Sequence, residues 1–272
     1  MLIDFHSHFN TNEPEMVRKF VKDYEERDVI ACVVGGLNYG DHDMVPNDEV
    51  IQFCKKYPGR FYPLAKIDLG EQTPSLDEVR RYADLGVKGF KFIYPWYEYD
   101  HDLYMPVYEE IEKIGLPVLF HTGNYRPNAT DRKIRRPVLL NMHPAHLDRI
   151  ARSFQDLHIV MAHLGTSIWQ TQAAELIKLH SNLYSDLAGN GGWQGIPGER
   201  LAEYLKPKCC PFRDPERYFR KLIFGTDAYT STTAPMTEGL IFYQKKLASL
   251  GLSQETRDLI MGNTVASWMG LK

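Results

Sequence analysis

Five residues able to bind metals or move protons each follow a short apolar run in this 272-residue sequence. His6 and His8 lie in IDFHSH, His121 ends PVLFH, His163 ends IVMAH, and Asp227 follows IFGT. In an extended strand, residues i and i+2 face the same way, so His6 and His8 can converge on one point. Three or four imidazoles with one carboxylate suit zinc or a similar borderline divalent ion, with a position left for water. Taken singly, each has a bland reading: an H-x-H is weak, and His121 or His163 alone reads as a core or capping histidine. The shared placement at the ends of apolar runs makes chance a poor account of all five. His42, His101, His143, His146, His158 and His180 lack that placement, and His143 and His146 beside Pro144 read as the start of a covering helix.

The elements that must position these residues are legible as an alternation. Apolar runs at 2–5, 29–35, 61–67, 87–93, 116–120, 158–162, 182–185 and 222–224 read as strands buried on both faces. Helix-like stretches at 13–26, 74–85, 103–114, 145–154, 168–179 and 236–250 lie between them. In 103–114, Val107, Ile111 and Ile114 recur at helical spacing, and Gly115 and Pro117 stop the helix. About eight strand–helix units with short connections predict an α/β fold: a single (β/α)8 TIM barrel over residues 1–272. Its active site is expected on the C-terminal face, where the long connections 124–142 and 188–217 fall.

A family resemblance rests on these same segments. IDFHSH, GVKGFKF, VLFHTG, IVMAHLG, FGTDA and the terminal IMGNT together are similar to the amidohydrolase superfamily. The branch is the amidohydrolase-related one that contains aminocarboxymuconate-semialdehyde decarboxylase-like enzymes. The resemblance implies that His6, His8, His121 and Asp227 ligate one divalent metal, zinc first, with manganese or cobalt as alternatives. It implies that His163 acts beside the metal as general acid, base or polarising group, and that Asp227 also accepts a proton. Relatives with two metals place a carboxylated lysine or a glutamate at the fourth strand. Here Lys88 and Lys91 have opposite strand parity, so Lys91 is read as an inward charge near substrate and Lys88 as a solvated strand-start lysine.

For substrate contact, the aromatic loop after the fourth strand supplies Tyr94 and Trp96, and the loop after the fifth supplies Asn124 and Arg126. Arginine forks suit carboxylates. The aromatics have an alternative use as the loop's own small core. The glycines at 189, 191 and 192 suit a lid or a plain turn.

The leading expectation is a metal-dependent hydrolase that attacks an ester, lactone or amide of a small, carboxylate-bearing molecule with a metal-activated water. The alternative is a metal-dependent non-oxidative decarboxylase or hydratase on an unsaturated or aromatic acid. A remoter one is a TatD-like nuclease, disfavoured because the fourth strand has no glutamate and the net charge is −3. A barrel holding metal only for structure is disfavoured by a His/Asp set at the barrel mouth. Hydrophobic residues at 43% and charged ones at 25% exclude a disordered or fibrous chain. Neither a signal sequence nor a membrane span is legible, and of Cys32, Cys54, Cys209 and Cys210 none sits in a C-x-x-C pair. These features predict a cytoplasmic protein with a small-molecule substrate and no nucleic acid or membrane partner; the resemblance allows a homodimer.

Overall fold

The computed structural model describes residues 1–36, 44–125, 133, 136–189, 196–207 and 213–271. Its strands are β1 (Ile3–His8), β2 (Ile30–Val34), β3 (Phe61–Lys66), β4 (Phe90–Phe92), β5 (Val118–Phe120), β6 (Ile159–Met161), β7 (Leu183–Asp186), β8 (Leu222–Ile223) and β9 (Ala228–Tyr229). They form one parallel sheet in the order β8-β7-β6-β5-β4-β3-β2-β1-β9. The last two are halves of one strand position. β8 pairs with β7 and β9 with β1, while Phe5 N–H donates to the Phe224 carbonyl at 3.0 Å and Asp227 N–H to the His6 carbonyl at 2.7 Å. The sheet therefore curls round on itself as a barrel, and Asp227 stands at the break in its last strand.

Helices cover the outside: α1 (Pro14–Glu25), α2 (Asn47–Lys56), α3 (Leu76–Asp84), α4 (Met105–Ile114), α5 (His146–Ser153), α6 (Thr166–Leu179), α7 (Gly198–Leu205) and α8 (Ala234–Ser249). Two short helices, α9 (Gln254–Asp258) and α10 (Thr264–Met269), end the chain. The stretches holding α2, α7, α9 and α10 were not read as helices from sequence. None of the described helices is long and apolar enough to cross a membrane.

Strand parity sorts the core into two layers. Phe61, Ala65, Phe90, Phe92, Val118 and Phe120 pack outward in the core that includes helix residues. Ile3, Phe5, Cys32, Val34, Leu64, Leu119, Val160 and Ile223 form a separate cluster inside the barrel. Val265, Ala266 and Met269 of α10 join that inner cluster, and Trp268 meets Phe5 edge-on at 6.4 Å. The terminal helix thus plugs the end where the strands begin.

The inner parity then fixes what reaches the other end. Continuing past Leu64 brings Lys66 inward, and Lys91 lies between the outward Phe90 and Phe92. Two residues beyond Leu119 comes His121, and two beyond Tyr184 comes Asp186. In β1, strict alternation from Ile3 and Phe5 would send Ser7 inward. A register shift between Asp4 and Ser7 changes the parity, so His6 and His8 face the mouth instead.

Candidate metal centre

His6 and His8 come from β1, and Asp227 from the break between β8 and β9. His6 Nε2 and His8 Nε2 are 3.2 Å apart. Asp227 Oδ1 lies 3.0 Å from His8 Nε2 and 3.6 Å from His6 Nε2. Ligand atoms held about 2.0–2.2 Å from one ion at tetrahedral or octahedral angles stand about 3.0–3.5 Å apart, so these three donors fit a shared cation. Asp227 is 23% exposed in its side chain while the two histidines are buried, which leaves the cluster open on one side.

His121, buried at the end of β5, has an Nε2 with no hydrogen-bond partner among the described residues. A buried polar atom without a partner is costly, and a metal ion would satisfy it. Its ring centroid is 4.9 Å from that of His163, which in turn is 5.0 Å from His6. Burial, then the field of His163, holds the His121 pKa well below the usual histidine range. Burial followed by the Lys91 charge does the same for His6, and burial lowers His8 against the pull of Asp227. Neutral imidazoles are the form that binds metal. Burial alone would raise the Asp227 pKa, but the His8 hydrogen bond and the fields of His6 and His163 bring it below the usual carboxylate range.

His163 stands beside the cluster on a strained backbone, with φ 67° and ψ 11°. Its Nδ1 donates to the Ala188 carbonyl at 2.8 Å, which frees Nε2 toward the barrel mouth. Asp227 and Tyr94 also have positive φ, at 59° and 56°. Such backbone costs about 1–3 kcal/mol per non-glycine residue and gathers at functional sites.

Two glycines make room for the centre. A Cβ on Gly225 would lie 3.0 Å from His6 Cβ and 3.2 Å from Asp186 Cβ; one on Gly189, where φ is +71°, would lie 2.9 Å from Asp227 Oδ2. Beneath the site, buried Asp4 accepts from His6 N–H (3.1 Å), Tyr24 hydroxyl (2.7 Å) and Thr226 N–H (3.0 Å), tying β1 to the strand that carries Asp227. Burial pushes the Asp4 pKa up to about 7 in spite of these donors.

The amidohydrolase family model matches residues 3–267, nearly the whole chain. The chain belongs to the amidohydrolase family. Solved structures with the same barrel fold include three informative ones. A 5-carboxyvanillate decarboxylase from Sphingomonas paucimobilis is 14% identical, with TM-score 0.67 over 100% of this chain and 99% of that one. A "probable 2-pyrone-4,6-dicarboxylic acid hydrolase" from Acinetobacter baumannii, with citric acid bound, is 13% identical, with TM-score 0.64 over 99% of each chain. A dihydroxybenzoic acid decarboxylase from Polaromonas, with manganese and 2-nitroresorcinol bound, is 14% identical, with TM-score 0.62 over 99% of this chain and 96% of that one. No curated protein sequence matches the chain.

The other residues singled out from sequence scatter more widely in this amidohydrolase. Lys91 points inward, is 1% exposed, and donates from Nζ to His6 Nε2 at 3.1 Å. Burial pulls its pKa down to about 8 against the fields of Asp186 and Asp227. Lys88 reaches the opposite end, where its ammonium donates to the Met269 carbonyl at 3.4 Å. Tyr94 packs at a tilt against Tyr125, ring centroids 5.1 Å apart, and after burial and Asp227 it is the third cause that raises the Tyr229 pKa. Tyr229 itself stacks on His8 at 4.7 Å, a wall of the mouth that sequence reading missed.

Trp96 packs under the Arg136 guanidinium at 5.5 Å. Asn124 is exposed, and its backbone N–H donates to Thr166 Oγ1 at 3.1 Å. Arg126 lies outside the described residues, as do residues 190–195 of the glycine-rich loop and Cys209 and Cys210. Much of the aromatic loop serves its own core. Tyr99 is fully buried, and its hydroxyl holds the His121 carbonyl at 2.8 Å.

Lys66 and Asp186 were not singled out from sequence. Lys66 is the register neighbour of Lys91, is 3% exposed in its side chain, and pairs with Asp68. Burial pulls its pKa down to about 8, opposed by Glu78. The native state therefore releases this proton near pH 8, whereas the unfolded chain holds it up to about 10.4. Below pH 8 both states bind the proton and the native state carries the full burial cost. Stability rises between about pH 8 and 10.5, where only the unfolded state is protonated. Urea unfolding across that window should show Lys66→Met more stable than the parent at pH 7.5, by up to about 3 kcal/mol, with the gap vanishing by pH 10.5.

Proposed function

We propose that this amidohydrolase cleaves an ester, lactone or amide bond in a small, carboxylate-bearing molecule, using one divalent metal, zinc first, held by His6, His8, His121 and Asp227. The observation that carries this reading is the trio of donor atoms 3.0–3.6 Å apart at the open end of the barrel. A bound ion supplies an acidified water and polarisation of the substrate carbonyl.

The chain's own groups do the rest. Asp227, ionised and partly open to solvent, takes the proton from the attacking water. His163 keeps its Nδ1 proton on the Ala188 carbonyl, so its Nε2 is a lone pair in the neutral ring. Once that nitrogen has also taken up a proton, the imidazolium hands it to the leaving group or holds the developing oxyanion. The Lys91 ammonium, buried beside His6, provides the charge that holds the substrate carboxylate. Arg126 and the tyrosine wall of Tyr94 and Tyr229 complete recognition.

A second reading is non-oxidative decarboxylation. Two of the three solved structures described above are decarboxylases of aromatic acids. There the carboxylate would be the reacting group and His163 or Asp227 would deliver the proton to carbon.

Elemental analysis of purified protein tests the metal reading. Turnover with added Zn²⁺, Mn²⁺ and Co²⁺ on lactones, esters, and aromatic or unsaturated acids then separates the reactions. We expect about one equivalent of metal per chain, loss of turnover after chelation, and recovery on adding metal back. Two equivalents would overturn the single-ion assignment; none under any loading condition would overturn the function.

A further inference from the structure

Asp186 ends β7, fully buried, with both carboxylate oxygens committed. Oδ2 lies 2.9 Å from His6 Nδ1. Oδ1 accepts the backbone N–H of His163 at 2.6 Å and of Ala188 at 3.0 Å. The Ala188 carbonyl is the group that takes the proton of His163 Nδ1. One carboxylate therefore touches the ring of His6, the left-handed backbone of His163, and the turn that orients the His163 ring. His6, His163 and Asp186 also bring one donor atom each within 4.8 Å of one another. Because both Asp186 oxygens already receive hydrogen bonds, orientation fits them better than ligation.

An ionised carboxylate can only accept hydrogen bonds. With Asp186 ionised, the contact at Oδ2 puts the His6 proton on Nδ1 and leaves Nε2, the atom facing His8 and Asp227, as a lone pair. We infer that Asp186 is the positioning residue of the centre. It fixes the tautomer and ring plane of His6 and, through Oδ1, the strained backbone that presents His163. Its effect on metal affinity rests on the metal reading above; its effect on the His6 tautomer does not.

Asp186→Asn makes the decisive variant because it preserves shape and reverses the hydrogen-bond logic. The new amide oxygen must stay on the two backbone N–H groups, so the amide nitrogen faces His6 Nδ1 and donates to it. That drives the ring proton to Nε2 and blocks the lone pair. Metal Kd, measured by competition with a chromophoric chelator, is expected to rise roughly 10–100-fold, with unchanged melting behaviour. Asp186→Ala, which imposes no tautomer, is expected to lose less.

Nitrogen-15 spectra of histidine-labelled, metal-free protein give a readout that a merely structural role would not move. His6 Nε2 should be unprotonated in the parent and protonated in Asp186→Asn. If the two proteins show the same His6 protonation pattern, or if the folded Asn variant binds Zn²⁺ as tightly as the parent, the inference is overturned. A parent that binds no metal but shows the tautomer switch supports Asp186's role and overturns only the metal reading.

Discussion

His163→Asn is expected to lower kcat/KM by about 10²–10⁴-fold, the range for removing a general acid or base, while metal content and melting temperature stay near those of the parent. Asparagine is the apt replacement for a backbone reason. Position 163 has φ 67°, a left-handed conformation that asparagine adopts more readily than most residues. The amide can also keep the contact to the Ala188 carbonyl without offering a titratable proton. Elemental analysis beside steady-state kinetics reads both halves of the expectation. If metal and stability fall together with turnover, His163 belongs to the ligand set.

Asp227→Asn should be more damaging. Its carboxylate lies 3.0 Å from His8 Nε2 and 3.6 Å from His6 Nε2, and the function proposed above uses it both as metal ligand and as proton acceptor. The amide keeps the shape and tolerates φ 59°, yet it loses the charge that balances a dication. We expect weaker metal binding and, at saturating metal, a further loss of kcat/KM of about 10³-fold or more. Metal affinity equal to the parent's would remove Asp227 from the ligand set and leave it as a base alone.

The parts of this centre that were legible in sequence are those where a polar residue interrupts an apolar run. His6, His8, His121, His163 and Asp227 all announce themselves that way, and the alternation around them predicts the barrel. Asp186 escaped because the seventh run was taken to stop at Ser185, one residue short of β7's end. Lys66 escaped because a strand with apolar residues on both faces does not reveal which parity faces inward. That parity became visible only once Leu64 was found in the inner cluster and Ala65 in the outer one. The register shift in β1 is the sharper case. Counting alternation from Ile3 and Phe5 would put Ser7 at the mouth, and only the irregular pairing with β2 turns His6 and His8 there. The α7 helix was missed because its residues, Gly198–Leu205, lie within the long connection 188–217.

The seam of the barrel has a consequence for how the protein folds. His6 and His8 lie on the first strand and Asp227 at the last strand position, and α10 plugs the barrel beneath them. In the sequence the carboxylate follows the second histidine by 219 residues, the distance from position 8 to 227. Contacts between such distant segments form late, because the loop they close is long. The three side chains thus come together only when the last strand position closes the sheet against β1. Once formed, the cluster links the first strand to the last strand position, and an ion held there would act as a clasp that stabilises the closed sheet.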